Sequence, residues 1–193
     1  MADMKKLRQG VIEALPEAKQ ISDADLREKV YDAWAMALAE SGFSRIEDIQ
    51  ASGNPDTPPM KTGTQADHLR SVARLAMAFA REFNEMFPEF DVDMDEVLAG
   101  GLCHDLGKPF EFDPENQERW QADQRITGWP SIRHPVYGVH IALSAGLPEK
   151  IAHIAGAHSR EGEHIQRSLA CAIVHYADHA YWRILDRAGI LQH

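Results

Sequence analysis

The sequence predicts an all-α protein. Apolar residues recur at helical spacing in most segments, whereas the alternation of apolar and polar residues that marks β-strands is nearly absent. With 193 residues, of which 44% are hydrophobic, the chain can bury the core of one domain without disulfides. One face of the predicted second helix illustrates the pattern, with four apolar residues spaced four apart: Leu26, Val30, Trp34 and Leu38.

The helix boundaries follow from capping residues and prolines. The predicted helices cover residues 4–15, 23–41, 64–87, 93–104, 135–144, 148–158 and 165–188. Pro16 and Pro88 end the first and third helices, and Pro135 and Pro148 suit first-turn positions. Thr64 with Asp67 three residues later is a partial match to a capping box, which usually has Glu or Gln at the second position.

Two stretches lack the helical pattern and divide the chain. Residues 51–63 are rich in proline and glycine, which predicts a connecting loop between an N-terminal helical extension at 1–50 and a main domain at 64–193. Residues 110–133 are polar and predict a long loop with room for one short helix. Long loops in compact domains often act as lids or binding loops.

The composition and charge of the chain indicate which partners and which cellular location to expect. The net charge of -10 and the absence of a Lys or Arg run argue against nucleic acid and anionic membranes as partners. No apolar stretch is long enough to span a bilayer, and residues 1–15 lack the apolar run of a secretory signal, so we expect a cytoplasmic protein. Cys103 and Cys171 lie among apolar neighbours and predict buried, reduced thiols. The sequence leaves a homo-oligomer open.

Six residues that could bind a metal recur along the predicted helices. They are His68, His104, Asp105, His134, His158 and Asp178. Imidazole and carboxylate are good ligands for Fe, Mn, Ni, Co and Zn, and carboxylates also suit Mg. Since ligands on separate helices can converge in the core of a helical bundle, these residues together predict a divalent metal site.

The motifs around these residues carry a resemblance to a known family. The segment LAGGLCHDLGKP resembles the central signature of the HD superfamily, and RHPVYGVHIA and LPEKIAHIAGAHS resemble the segments with the extra histidines of its binuclear members. The resemblance covers about residues 64–188. It implies one metal held by His68, His104, Asp105 and Asp178, and a second held by His134 and His158, with Asp105 bridging the two ions.

The resemblance also implies a hydrolase acting on a phosphate ester bond of a small phosphorylated metabolite or nucleotide, through a metal-activated hydroxide. Asp105 would orient the hydroxide, and Lys108 would face the phosphate or the nucleophile. Between them, Gly107 is expected to relax the backbone after the His–Asp pair. Arg133 and Arg160, which flank His134 and His158, are further candidates to meet an anion. Glu161 is a less favoured candidate as a proton carrier.

Two other functions stay open at this stage. Some short members of the superfamily are di-iron oxygenases that cleave a C–C or C–P bond, and a degenerate HD domain can serve as a non-catalytic metal-binding sensor. Lys108 favours the hydrolase. The Gly-Tyr-Pro motif and the further Glu ligand of many signalling phosphodiesterases in the superfamily are not found.

Overall fold

A computed structural model describes residues 3–192, which form ten α-helices and no β-strand. Two isolated backbone bridges pair Gln50 with Thr64 and Met60 with Leu191. Short 3-10 helices cover Pro16–Gln20, Ile46–Asp48 and Arg160–His164. The α-helices, in chain order, are α1 Met4–Ala14, α2 Ala24–Ala39, α3 Gln65–Met86, α4 Met94–Cys103, α5 Lys108–Glu111, α6 Pro114–Ala122, α7 Gln124–Thr127, α8 His134–Ser144, α9 Glu149–Ala157 and α10 Leu169–Arg187. The predicted all-α class is confirmed.

Helix α4 lies at the centre of the bundle. It contacts α2, α3, α9 and α10, and every residue from Val97 to Cys103 is buried. Small residues allow the close contact with α3, because a Cβ atom at Gly101 would lie 2.8 Å from the Cα atom of Ala73. A helix that is apolar on all sides belongs in a core. The end of α4 therefore delivers the residues that follow it, His104 and Asp105, to the middle of the molecule.

Side-chain caps are present at two of the predicted helix starts. The carboxylate of Asp23 accepts hydrogen bonds from the backbone amides of Asp25 and Leu26 at the start of α2. At the start of α3, Thr64 and Asp67 form a reciprocal capping box, so aspartate serves where glutamate is more usual. These caps satisfy amide groups that have no partner within the helix.

The N-terminal helices share their core with the rest of the described chain. Trp34 on α2 is fully buried, and its indole Nε1 donates to the carbonyl oxygen of Leu102 on α4 at 2.9 Å. Glu17 is also buried, and its carboxylate accepts from Arg70 and Arg74 on α3. The division of the chain into an N-terminal extension at 1–50 and a main domain at 64–193 stays a prediction.

Some element boundaries differ from the sequence-based prediction. Residues 110–133 contain more helix than expected, because Asp113 and Asp123 cap α6 and α7 with side-chain hydrogen bonds. The last helix begins at Leu169 rather than near residue 165, since Ser168 caps it and residues 160–164 form a 3-10 helix. None of the helices in the described part is long and apolar enough to cross a membrane.

The Glu17 ion pairs predict a pH-dependent contribution to stability. Burial alone would raise the pKa of Glu17, but the hydrogen bonds from Arg70 and Arg74 outweigh it and leave the pKa lowered. Their stabilisation is therefore present above the unfolded-state pKa and is lost as the pH falls through the lower folded-state pKa. Glu17→Gln removes the carboxylate charge and should reduce the free energy of unfolding at pH 7. The expected loss is about 1–2 kcal/mol, since both arginines are partly solvated and their ion pairs are weakened by water.

Urea titrations at pH 7 and at pH 3 test this expectation, with the exposed Glu13→Gln as the control. The difference between Glu17→Gln and the parent should shrink at pH 3. A deficit of the same size at both pH values would contradict an electrostatic origin.

Candidate metal centre

The six predicted ligands converge at the meeting point of five helices. His68 lies on α3, His104 and Asp105 follow α4 directly, and Asp178 lies on α10. His134 begins α8 and His158 follows α9. The four histidines and Asp105 are each at most 3% exposed, so the chain withdraws them from water together.

The carboxylate of Asp105 is the centre of this cluster, and its two oxygens face different partners. Oδ2 lies 3.3 Å from Nε2 of His68 and 3.4 Å from Nε2 of His104. Oδ1 lies 3.2 Å from Nε2 of His134 and 3.6 Å from Nε2 of His158. Each oxygen therefore has its own pair of imidazoles, as a carboxylate that bridges two cations requires.

Hydrogen bonds on the far side of three rings hold their Nε2 atoms toward Asp105. Nδ1 of His104 donates to the carbonyl oxygen of Gly101 at 2.8 Å, and Nδ1 of His158 donates to that of Ala155 at 3.0 Å. Nδ1 of His134 lies 2.5 Å from the carboxylate of Glu111. A ligand histidine whose other nitrogen donates in this way presents the Nε2 lone pair to a metal.

Burial keeps two of these rings neutral. It lowers the pKa of His104 to about 4 against the opposing effect of Asp105, and burial together with the Lys108 charge lowers the pKa of His134 to about 4. The pKa of Asp105 is held well below its usual range, because the Lys108 ammonium and the hydrogen bond with His158 outweigh the effect of burial. The pKa of His158 is raised, since its hydrogen bond to Asp105 outweighs burial. Neutral His104, neutral His134 and ionised Asp105 are therefore already in the protonation state that a metal ligand needs.

Unpartnered atoms in the cluster indicate that it fits a cation. Oδ1 of Asp178 is buried without a hydrogen bond among residues 3–192, and it lies 3.4 Å from Nε2 of His68. A buried carboxylate oxygen normally has a partner. Ligand atoms lie within 4.8 Å of one another in two overlapping groups: His68, His104 and Asp178, and His104, Asp105 and His158.

Gly107 permits this convergence for a reason other than the one expected. The sequence suggested that it relaxes the backbone after the His–Asp pair, but its φ of -85° is accessible to any residue. A Cβ atom at this position would lie 2.1 Å from the carbonyl oxygen of His134. Glycine is required because the turn after Asp105 lies against the first turn of α8.

Lys108 is buried beside the cluster rather than solvated. It is 1% exposed, and its ammonium donates to the carbonyl oxygens of Ser52 and Gly53. These carbonyls belong to the proline- and glycine-rich loop, residues 51–63, which therefore forms a wall of the site. Trp129 in the polar stretch reaches the same loop, because its Nε1 donates to Asp56 at 2.9 Å.

The two predicted anion-binding arginines have different surroundings. Arg133 is engaged by two carboxylates, since Nη1 donates to Glu111 and Nε donates to Glu161 at 3.0 Å. Arg160 is exposed, and within residues 3–192 its guanidinium forms no ion pair or hydrogen bond. Arg160 is therefore the better placed of the two to meet an anion from solution, and anion binding by Arg133 stays a prediction.

A cavity of about 170 Å³ opens onto the cluster. Its lining includes Asp105, Lys108, Arg160, Asp178 and Trp182. A neighbouring cavity of about 410 Å³ shares Arg160 and Trp182 with it. A larger depression of about 530 Å³ beside Lys150 contains none of the predicted ligands, so ligand chemistry rather than volume identifies the site.

Three residues of the site were missed by the sequence analysis. Glu111 lies in a stretch without a recognisable motif, yet its carboxylate is fully buried against His134. Gln65 donates to Asp105 at 2.7 Å, and its position one turn before His68 was a usable signal. Trp182 packs against His68 with ring centroids 4.9 Å apart, and it lies one turn after Asp178.

Comparison with known proteins decides the family. The family model of the HD domain matches residues 66–181. The chain belongs to the HD domain family. A dihydroneopterin 2',3'-cyclic phosphate phosphodiesterase from Methanocaldococcus jannaschii is 27% identical over 180 residues, covering 89% of this chain and 68% of the relative. No solved structure matches the chain. The family predicted from the sequence motifs is confirmed, and the expected enzyme class, a metal-dependent phosphohydrolase, agrees with both findings.

The contact between Glu111 and His134 predicts a selective effect on metal binding. Glu111→Gln removes the charge that holds the His134 ring, so the affinity of the half of the centre with His134 and His158 should fall about 10- to 100-fold. The half with His68, His104 and Asp178 should keep its affinity. Calorimetric titration of chelator-treated protein with Mn²⁺ measures both, with the exposed Glu115→Gln as the control and circular dichroism as a check on folding. Equal losses at both positions would contradict this assignment.

Proposed function

We propose that this HD domain hydrolyses a phosphate ester bond of a small phosphorylated metabolite, and that a cyclic phosphodiester is its first substrate class to test. The observation that carries the proposal is the Asp105 carboxylate, with one oxygen toward each pair of imidazoles and the Lys108 ammonium beside it. The relative from Methanocaldococcus jannaschii, whose name specifies a 2',3'-cyclic phosphate, supports the choice of substrate class.

The proposed centre holds two divalent cations. His68, His104, Asp178 and Oδ2 of Asp105 would hold the first, and His134, His158 and Oδ1 of Asp105 would hold the second. When bound, two such cations polarise a phosphoryl oxygen and lower the pKa of water toward neutrality. Because the proposed ligands carry only two negative charges, the two cations together with their ligands have a net charge of about +2, which attracts a phosphate even on an acidic protein.

The charged residues around the cavity would orient the substrate. The Lys108 ammonium has three N–H donors. Two of them engage the loop carbonyls, which leaves the third for a phosphoryl oxygen. Arg160 stands at the junction of the two cavities, where its guanidinium can meet a second oxygen of the phosphate or another anionic group. The neighbouring cavity of about 410 Å³, with Trp182, Pro58 and Leu191 in its lining, offers room for the organic part of the substrate.

The reaction adds one water molecule and breaks one P–O ester bond. For a 2',3'-cyclic phosphate the product is a phosphomonoester with one free hydroxyl, and the oxygen that leaves phosphorus takes a proton from water. Asp105 would orient the attacking water, and burial in a cavity of about 170 Å³ would limit the water that competes with the substrate. Glu161 is paired with Arg133, which leaves it a weaker candidate for the proton transfer.

Turnover assays with reconstituted protein test the function. Chelator-treated protein loaded with Mn²⁺, Fe²⁺ or Co²⁺ should convert nucleoside 2',3'-cyclic phosphates to phosphomonoesters, at equal rates with and without oxygen. Asp105→Asn should reduce turnover to background. Absence of turnover of any cyclic diester, linear diester or monoester by protein with proven metal content would overturn the proposal, and a strict requirement for oxygen would favour the oxygenase.

Lys108 provides a test of how the phosphate is held. Lys108→Ala should reduce kcat/KM about 10- to 1000-fold, corresponding to roughly 1.4–4 kcal/mol for one buried electrostatic contact to a developing anion. Metal content should not change, because an ammonium has only donors and cannot ligate a cation. Lys61→Ala, which removes an exposed lysine of the same loop, is the matched control. Activity of Lys108→Ala within about twofold of the parent would remove Lys108 from the proposed site.

A further inference from the structure

Gln65 is a buried polar residue at the edge of the metal centre. It is the first residue of α3, it is 0% exposed, and it lies three residues before His68 on the same helix. Its backbone amide donates to the carbonyl oxygen of Ile49 at 2.9 Å, which fixes the start of the helix. A long polar side chain in such a place is unfavourable unless its polar atoms are satisfied.

The amide of Gln65 is satisfied on one side only. Nε2 donates to Oδ2 of Asp105 at 2.7 Å, whereas Oε1 is buried and has no hydrogen-bond partner in the part of the chain that the structure describes. The opposite orientation of the amide would direct a carbonyl oxygen at a carboxylate oxygen, which repel each other. The contact with Asp105 therefore determines that the free atom is an acceptor.

The two halves of the centre differ in this respect. Oδ2 of Asp105, which faces His68 and His104, has an amide donor in addition to the imidazoles. No amide donor reaches Oδ1 within residues 3–192. The second unpartnered oxygen of the cluster, Oδ1 of Asp178, also lies beside His68. Two buried acceptors without donors thus belong to the same half.

We propose that Gln65 is a positioning residue for the metal held by His68, His104 and Asp178. Its NH₂ group holds Oδ2 of Asp105 in the orientation that this metal requires, and its carbonyl oxygen accepts a hydrogen bond from a water molecule that enters with the metal. The neutral amide does this without a further negative charge beside Asp105. The inference depends on the two-cation centre of the proposed function, and it makes the two metal positions chemically unequal.

Two substitutions with opposite expected effects test the role of Gln65. Both are made in a His158→Ala background, in which metal binding reports the half with His68, His104 and Asp178. Gln65→Met keeps the length of the side chain but removes both hydrogen bonds, and it should weaken Mn²⁺ binding about 10- to 100-fold. Gln65→Glu adds a carboxylate oxygen beside Asp105, so it should strengthen Mn²⁺ binding and lower the Tm of the chelator-treated protein.

Calorimetry and thermal melts of chelator-treated protein provide the readout, and activity is not needed. Gln192→Met is the control, because the side-chain amide of Gln192 also donates one hydrogen bond, here to the backbone carbonyl of Met60, but lies away from the ligands. If Gln65→Met does not fold by circular dichroism, Gln65→Asn, which keeps the amide but cannot reach Asp105 without movement, should show the same weakening. Mn²⁺ affinities of the Met or Asn variant within about twofold of the background protein would overturn the proposal.

The Glu variant provides a separate check. A lower Tm together with no gain in Mn²⁺ affinity would mean that Gln65 only packs against Asp105, and would also overturn the proposal. The result is independent of the proposed hydrolysis, because a protein that turns over no phosphate ester would still show these differences in metal binding.

Discussion

A carboxylate withdrawn from water is the constraint on which the rest of this structure depends. Asp105 is 3% exposed, and an isolated charge in such a place would be strongly unfavourable. Four imidazole nitrogens, an amide and the nearby Lys108 ammonium surround it. Since these groups come from α3, α5 and α8 and from the residues that follow α4 and α9, the bundle must bring all of them together before the charge is compensated. The helix packing and the candidate metal centre are therefore parts of the same arrangement.

Groups at the helix ends orient the histidine rings around Asp105. His104 and His158 each follow a helix C-terminus, where backbone carbonyls of the last turn lack partners and can accept from Nδ1. That contact fixes the neutral tautomer and presents Nε2 to the centre. His134 lies at a helix start, where no such carbonyl is available, and the buried carboxylate of Glu111 takes that role instead. The centre thus uses different supports according to where each ligand lies on its helix.

Most of the fold, and the six residues that converge in the candidate centre, could be predicted from the sequence, because both leave local signals. Helical periodicity, caps and prolines located α1 to α4 and α8 to α10, and the His–Asp pair with its flanking motifs identified the family. Glu111 and the contact of Lys108 with the loop 51–63 could not be predicted in this way, because they depend on long-range packing. Gly107 was misinterpreted for a similar reason: its neighbour, His134, is 27 positions away in the chain, so only the folded structure reveals the close approach.

The central claim is that Asp105 holds two cations, one on each oxygen. The most direct measurement is anomalous diffraction at the manganese edge from crystals of protein reconstituted with Mn²⁺. We expect two peaks about 3.5–4 Å apart, one among His68, His104 and Asp178 and the other beside His134 and His158, with an oxygen of Asp105 at each. A single peak at full occupancy with His134 and His158 bound to no metal, or two peaks that do not share Asp105, would contradict it.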